Sequence, residues 1–95
     1  MGTAFKFVND EWVEVETTSD KAGKIYIDGE FVQAFLTTYL PVKGHTAVLV
    51  SWEDFDEENG MYTPWNTWYG QPTKEKAWVD ALEWAMAEDI PAIKS

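Results

Sequence analysis

The dipeptide Asp28-Gly29, set between two runs of strand-forming residues, is the strongest local constraint on how this chain can fold. A two-residue turn of this composition takes positive φ at both positions and matches the twist of an antiparallel pair. Residues 24–27 and 30–36 are therefore read as one hairpin. Alternation puts Ile25, Ile27, Val32, Ala34 and Leu36 on one face, and Tyr26, Phe31 and Phe35 on the other. Apolar mass on both sides implies a second buried layer or an exposed aromatic patch. Burial is the expectation, because monomers rarely expose large apolar patches.

An earlier hairpin is read over residues 4–16. A three-residue loop at Asn9-Asp10-Glu11 would gather Phe5, Phe7, Val13 and Val15 on one face and set Lys6 against Glu14. A two-residue loop would mix Phe5 and Phe7 with Glu14 and Glu16, so the longer loop is expected on the premise that one face is core. Residues 17–23 read as a polar connection and 37–45 as a loop holding Pro41 and Gly44. Residues 46–52 are apolar on both sides, as in an interior strand. Residues 61–65 return as a strand confined to an edge, since Pro64 cannot donate to a ladder. A linker is expected over 66–72.

Thr73 then suits a helix N-cap, with Glu75 in the first turn. Ala77, Trp78, Ala81, Leu82 and Ala85 form one stripe at helical spacing over residues 74–89, with Lys76, Asp80 and Glu83 opposite. Pro91 ends the helix, and Ile90 and Ile93 pack the tail back. The expected fold is α+β: an antiparallel sheet of four to five strands, a meander of hairpins, with one C-terminal helix across a face.

Ninety-five residues with 45% hydrophobic and 16% aromatic content make one domain, residues 1–95, rather than a disordered acidic tail. No apolar run is long enough for a membrane span. The N-terminus has neither a signal-peptide pattern nor a myristoylation pattern. Cysteine is absent, so no thiolate metal site or disulfide frame exists. A cytoplasmic protein is the expectation.

Seventeen carboxylates face seven lysines and no arginine, a net charge of −10. Direct binding to nucleic acid or an anionic membrane is disfavoured, because affinity for phosphates comes from Lys and Arg. A basic protein surface would be attracted. The acidic residues concentrate in residues 51–70, where Glu53, Asp54, Asp56, Glu57 and Glu58 fall within six positions. An extended chain advances about 3.4 Å per residue, comparable to the phosphate spacing along one DNA strand. These acids therefore read as a rough phosphate track, with Asp80 and Glu83 as a second row. The simpler reading is a solvated turn. Trp65, Trp68 and Tyr69 follow within the same stretch and are of the types that dominate interface hot spots. They could instead stack on a sugar, or pin the linker to the sheet.

Catalytic and metal signatures are missing. His45 stands alone in a loop, and Ser19, Ser51 and Ser95 lack a nucleophile motif. Asp54, Asp56 and Glu58 alternate as in a calcium loop, but Asn59 replaces the turn glycine and Trp65 the closing acid. No cofactor or metal is expected, nor is catalysis. In size and charge the chain resembles the small acidic inhibitors that mobile elements and bacteria direct at nucleases and nucleic-acid-guided defence systems. That resemblance implies an anti-CRISPR-like or DNA-mimic inhibitor docking on a basic surface of a nuclease or other nucleic-acid-binding protein, through Glu53, Asp54, Asp56, Glu57, Glu58, Trp65, Trp68 and Tyr69. The alternative is a small-ligand or carbohydrate-binding module using the Trp65–Tyr69 aromatics.

Overall fold

A computed structural model describes residues 3–38, 50–68 and 71–94, with residues 38, 50 and 64–68 described by their backbone only. Among the described residues strands combine with one helix, as expected for α+β, but the sheet is neither four- to five-stranded nor purely antiparallel. Six strands lie in the order β2-β1-β9-β6-β7-β8, and a second sheet holds three in the order β3-β4-β5. The large sheet comprises β1 (Thr3–Val8), β2 (Glu11–Val15), β6 (Ala34–Thr38), β7 (Val50–Asp56), β8 (Met61–Trp68) and β9 (Ala92–Lys94). The small one comprises β3 (Thr17–Ser19), β4 (Ile25–Ile27) and β5 (Glu30–Phe31). The helix, α1 (Lys74–Glu88), lies against β6 and β7.

The unforeseen strand of the large sheet is the tail. After α1 the chain reverses at Asp89 and inserts Ala92–Lys94 between β1 and β6, antiparallel to the first and parallel to the second. Three residues are too short to read as a strand by pattern. Their place in the middle of the sheet instead depends on α1 acting as the crossover that a parallel pair requires. Ala92 and Ile93 are both buried, one on each face.

The sheet is covered on both sides, which explains the errors of register. On the helix side Leu36 and Ala92 pack with Ala77, Trp78, Ala81 and Ala85, while Trp12, Leu82, Trp84 and Ile90 close the margin. Three buried alanines let the helix sit low on the sheet. On the opposite side Ala4, Phe35 and Ile93 pack with Ile27 and Val32 of the small-sheet hairpin. With core on both faces, the first hairpin has no single apolar side to protect. It closes in two residues: Asn9 and Asp10 take φ of 51° and 64°, and Phe7 pairs with Trp12 and Phe5 with Glu14. Both residue types tolerate left-handed backbone better than most, so the turn is chemically allowed and the three-residue expectation fails.

Asp28 and Gly29 do turn with positive φ, at 51° and 83°. The strands beyond them do not continue as one hairpin. Val32 and Gln33 carry the chain from the small sheet to the large one, so Phe35 joins Ile27 and Val32 while Leu36 turns to the helix. The expected aromatic face does not form as one buried row: Phe35 is buried with Ile27 and Val32, Tyr26 is half-buried and Phe31 is exposed. Phe31–Phe55, Phe55–Tyr62 and Phe35–Tyr62 meet edge-on with centroids 5.0–5.4 Å apart, and only Phe31 in this series reaches 36% exposure. Tyr62 ties the layers together by donating to Val32 O (2.6 Å) and accepting from Ile25 N (3.0 Å). Residues 17–19, read as part of a connection, pair with β4, and Asp20 then closes the turn by accepting from Ala22 N and Lys24 N.

The helix matches its expected span. Thr73 accepts from Lys76 N at 3.1 Å, and Asp89 ends the helix in left-handed backbone at φ 56°. Trp78 is buried, and Trp52 meets Trp84 edge-on at 5.6 Å. β8 is an edge strand holding Pro64, as expected, but it runs to Trp68 and so absorbs the start of the supposed linker. Its pairing slips opposite Trp52/Glu53, where Trp65 is the additional residue. Proline and a bulge both discourage further strand addition at this edge.

Candidate functional site: an acidic end of the sheet

The acidic run is not a connection. Glu53, Asp54 and Asp56 lie within β7, and only residues 57–60 form the turn to β8. Because a strand presents successive side chains to opposite faces, the run divides. Asp54 shares a face with Leu36 and Trp52, whereas Glu53 pairs with Phe35 and faces the other way. A continuous track at one carboxylate per residue is thus ruled out for the strand part. Asp54 and Asp56 share a face, two residues or about 6.8 Å apart, and Glu57 and Glu58 continue past them into solvent.

These side chains are held in place. Asp54 Oδ1 accepts from Gln33 Nε2 at 3.1 Å, and the same amide donates to Phe55 O at 2.9 Å. Asp56 accepts from Asn59 Nδ2 and from the Glu58 and Asn59 backbone N–H groups, so it organises the turn that carries its acidic neighbours. The Asn59 side-chain bond, with the two backbone donors, holds the Asp56 carboxyl below its ordinary value.

The strand register reveals what the sequence left scattered. Val8 lies three residues beyond Phe5, the partner of Ala92; Asp56 lies four beyond Trp52, the partner of Leu36 at the same level. The β1–β2 turn with Asp10 and Glu11 and the β7–β8 turn with Glu57 and Glu58 therefore project from one end of the sheet. Four strand spacings separate them, about 19 Å. Between them α1 ends, and Glu88, Asp89, Ile90 and Pro91 lead into β9 at that same end. Three acidic elements stand in a row. Lys74 and Lys76 begin the helix at the other end, where Lys94 closes β9 with its Nζ 5.6 Å from the Trp78 ring centroid.

The helix shows that this distribution is not dictated by stability. Its last turn holds no basic residue, and Glu88 and Asp89 sit there instead. Negative charge at a helix C-terminus opposes the macrodipole by roughly 0.3–1 kcal/mol per group. Asp80, expected in a second acidic row, is bonded by Gln71 Nε2 at 2.9 Å. On α1, Asp80 lies about two helical turns, and Glu83 more than one, before the acidic helix end at Glu88.

The Trp65 and Trp68 side chains and the whole of Tyr69 lie outside the described residues, as do His45 and Ser95. Ser51 is 1% exposed and so inaccessible to a substrate. Among the described residues no cluster of three potential metal ligands occurs, and no helix is long and apolar enough to cross a membrane. Of the acids singled out from the sequence, Asp54, Asp56, Glu57 and Glu58 lie towards this end of the sheet and Glu53 faces away from Asp54, while Asp10, Glu11, Glu88 and Asp89, which share the end, were not singled out. The missed acids carried one legible signal, a helix end without a base. Compared with known proteins, the chain matches no family model, and neither a curated protein nor a solved structure matches it.

Proposed function

We propose that this chain is a small, non-enzymatic, cytoplasmic binding protein that docks the acidic end of its large sheet on a basic protein surface. The partner we infer is a nuclease or another nucleic-acid-binding protein, whose cationic groove meets carboxylates in place of phosphates. One observation carries the reading: two hairpin turns and a helix end, remote in sequence, bring Asp10, Glu11, Glu57, Glu58, Glu88 and Asp89 to one end of the sheet, against the preference of the helix dipole. Asp54 and Asp56 complete the β7 side. Trp65, Trp68 and Tyr69 are proposed as further aromatic contacts apart from it, since β8 runs away from the acidic turns and Trp68 pairs with Val50, six residues along β7 from Asp56. Such a surface accelerates encounter and makes it dependent on ionic strength.

The test is displacement of labelled duplex DNA from a panel of basic nucleases, read by fluorescence anisotropy. The wild-type chain should displace DNA from a member of the panel, less effectively as salt rises. A variant carrying D10N, E11Q, E57Q and E58Q should lose at least tenfold. Undiminished displacement by that variant would reject the assignment. A saturable tryptophan-fluorescence response to glycans with no protein partner present would favour the carbohydrate alternative.

A further inference from the structure

The acidic end contains a cleft of about 310 Å³ between the small sheet and the end of α1. Its size is at the low end of the roughly 300–1,000 Å³ typical of ligand sites, room for one long side chain and not for a large cofactor. Ile27, Val32, Ile90 and Pro91 supply apolar surface, with Ile27 and Val32 both buried. The charged groups come from three elements: Glu30 on the small sheet, Asp89 at the helix terminus and Lys6 on β1. Two carboxylates against one ammonium leave a single negative charge, and the carbonyl end of the helix adds to it. The cleft is thus one cation short of neutrality, and its apolar surface suits an aliphatic stem.

We propose that this cleft receives one arginine side chain of the partner, its methylenes against Ile27, Val32 and Ile90 and its guanidinium between Glu30 and Asp89. Arginine fits better than lysine on physical grounds. Its planar fork addresses two carboxylates at once, and its weaker hydration makes partial burial less costly. A long stem lying on apolar surface with its charge outward is the ordinary habit of such side chains. This inference rests on the docking reading above and identifies what anchors it. The four substitutions in the turns leave the cleft intact, so the two can fail separately.

The experiment titrates N-acetyl-arginine methylamide into the ¹⁵N-labelled full chain at low ionic strength, with the uncharged citrulline analogue and the lysine analogue as comparisons. Saturable shifts should appear at the Ile27, Val32 and Ile90 amides with arginine, severalfold weaker with lysine and at least tenfold weaker with citrulline. E30Q and D89N should each weaken the arginine response severalfold. Asn tolerates the left-handed backbone at position 89, so the helix end is preserved. Indistinguishable responses to arginine and citrulline, equal affinity for lysine, or shifts confined to other residues would overturn the assignment; the wild-type comparison needs no variant to fold.

Discussion

Replacing Asp89 should make the protein more stable, although the same residue is assigned to binding. Asp89 occupies the left-handed region at φ 56°, and its N–H donates to the Ala85 and Met86 carbonyls to close the helix. Left-handed backbone costs an ordinary L-residue about 1–2 kcal/mol, and Asp less because of its short polar side chain. Glycine avoids that strain but adds freedom to the unfolded chain, an offset of about 0.4–1 kcal/mol. Removing the negative charge from the helix C-terminus contributes a further 0.3–1 kcal/mol, approximately. D89G should therefore gain about 0.5–1.5 kcal/mol net. D89N, which keeps the backbone preference, should gain only the charge contribution. For a domain of this size each kcal/mol corresponds to about 4–8 °C in Tm. Urea titration followed by tryptophan emission gives the midpoints, and repeating it in high salt separates the two effects. The D89N gain should shrink as the charge is screened, while the conformational part of the D89G gain persists. An unchanged or lowered midpoint for both variants would refute the account of this helix end.

Leu36 is fully buried between sheet and helix, so L36A should cost about 2–5 kcal/mol in the same titration. Y62F leaves Val32 O without its donor and Ile25 N without its acceptor, and a loss of about 1–3 kcal/mol is expected. Burial raises the Tyr62 pKa above 10.0. The unfolded chain then releases its phenolic proton first, so the stability from this group is full below about pH 10 and lost as pH rises through the folded value; alkaline denaturation should be shallower in Y62F. The opposite sign holds for Asp56, lowered from 3.8 chiefly by Asn59. Its contribution is present above that pH and disappears on acidification through the folded value, so N59A should weaken the acid dependence of stability. D10G converts the first turn to Asn-Gly at φ 64° and should stabilise by up to about 1 kcal/mol. A loss of stability there would count against the two-residue register.

Sequence alone determined the elements whose cause is local. Asp28-Gly29 turns because its backbone must take positive φ, Thr73 starts α1 because its hydroxyl reaches Lys76 N, and an alanine-rich stripe with Trp78 selects the buried helix face. Pro64 marked an edge strand for an equally local reason. Tertiary structure decided whatever depended on how many layers the core would have. A sheet covered on both faces removes the polarity that would fix the first hairpin's register, which is why Phe7 pairs with Trp12, and it lets three tail residues serve as a central strand. Incorporation of residues 53–56 into β7 turned Glu53 away from Asp54, and strand order brought Asp10, Glu57 and Asp89 to one end of the sheet. Charges remote along a chain acquire a common side only when strand order and direction are set, and those are properties of the packed sheet.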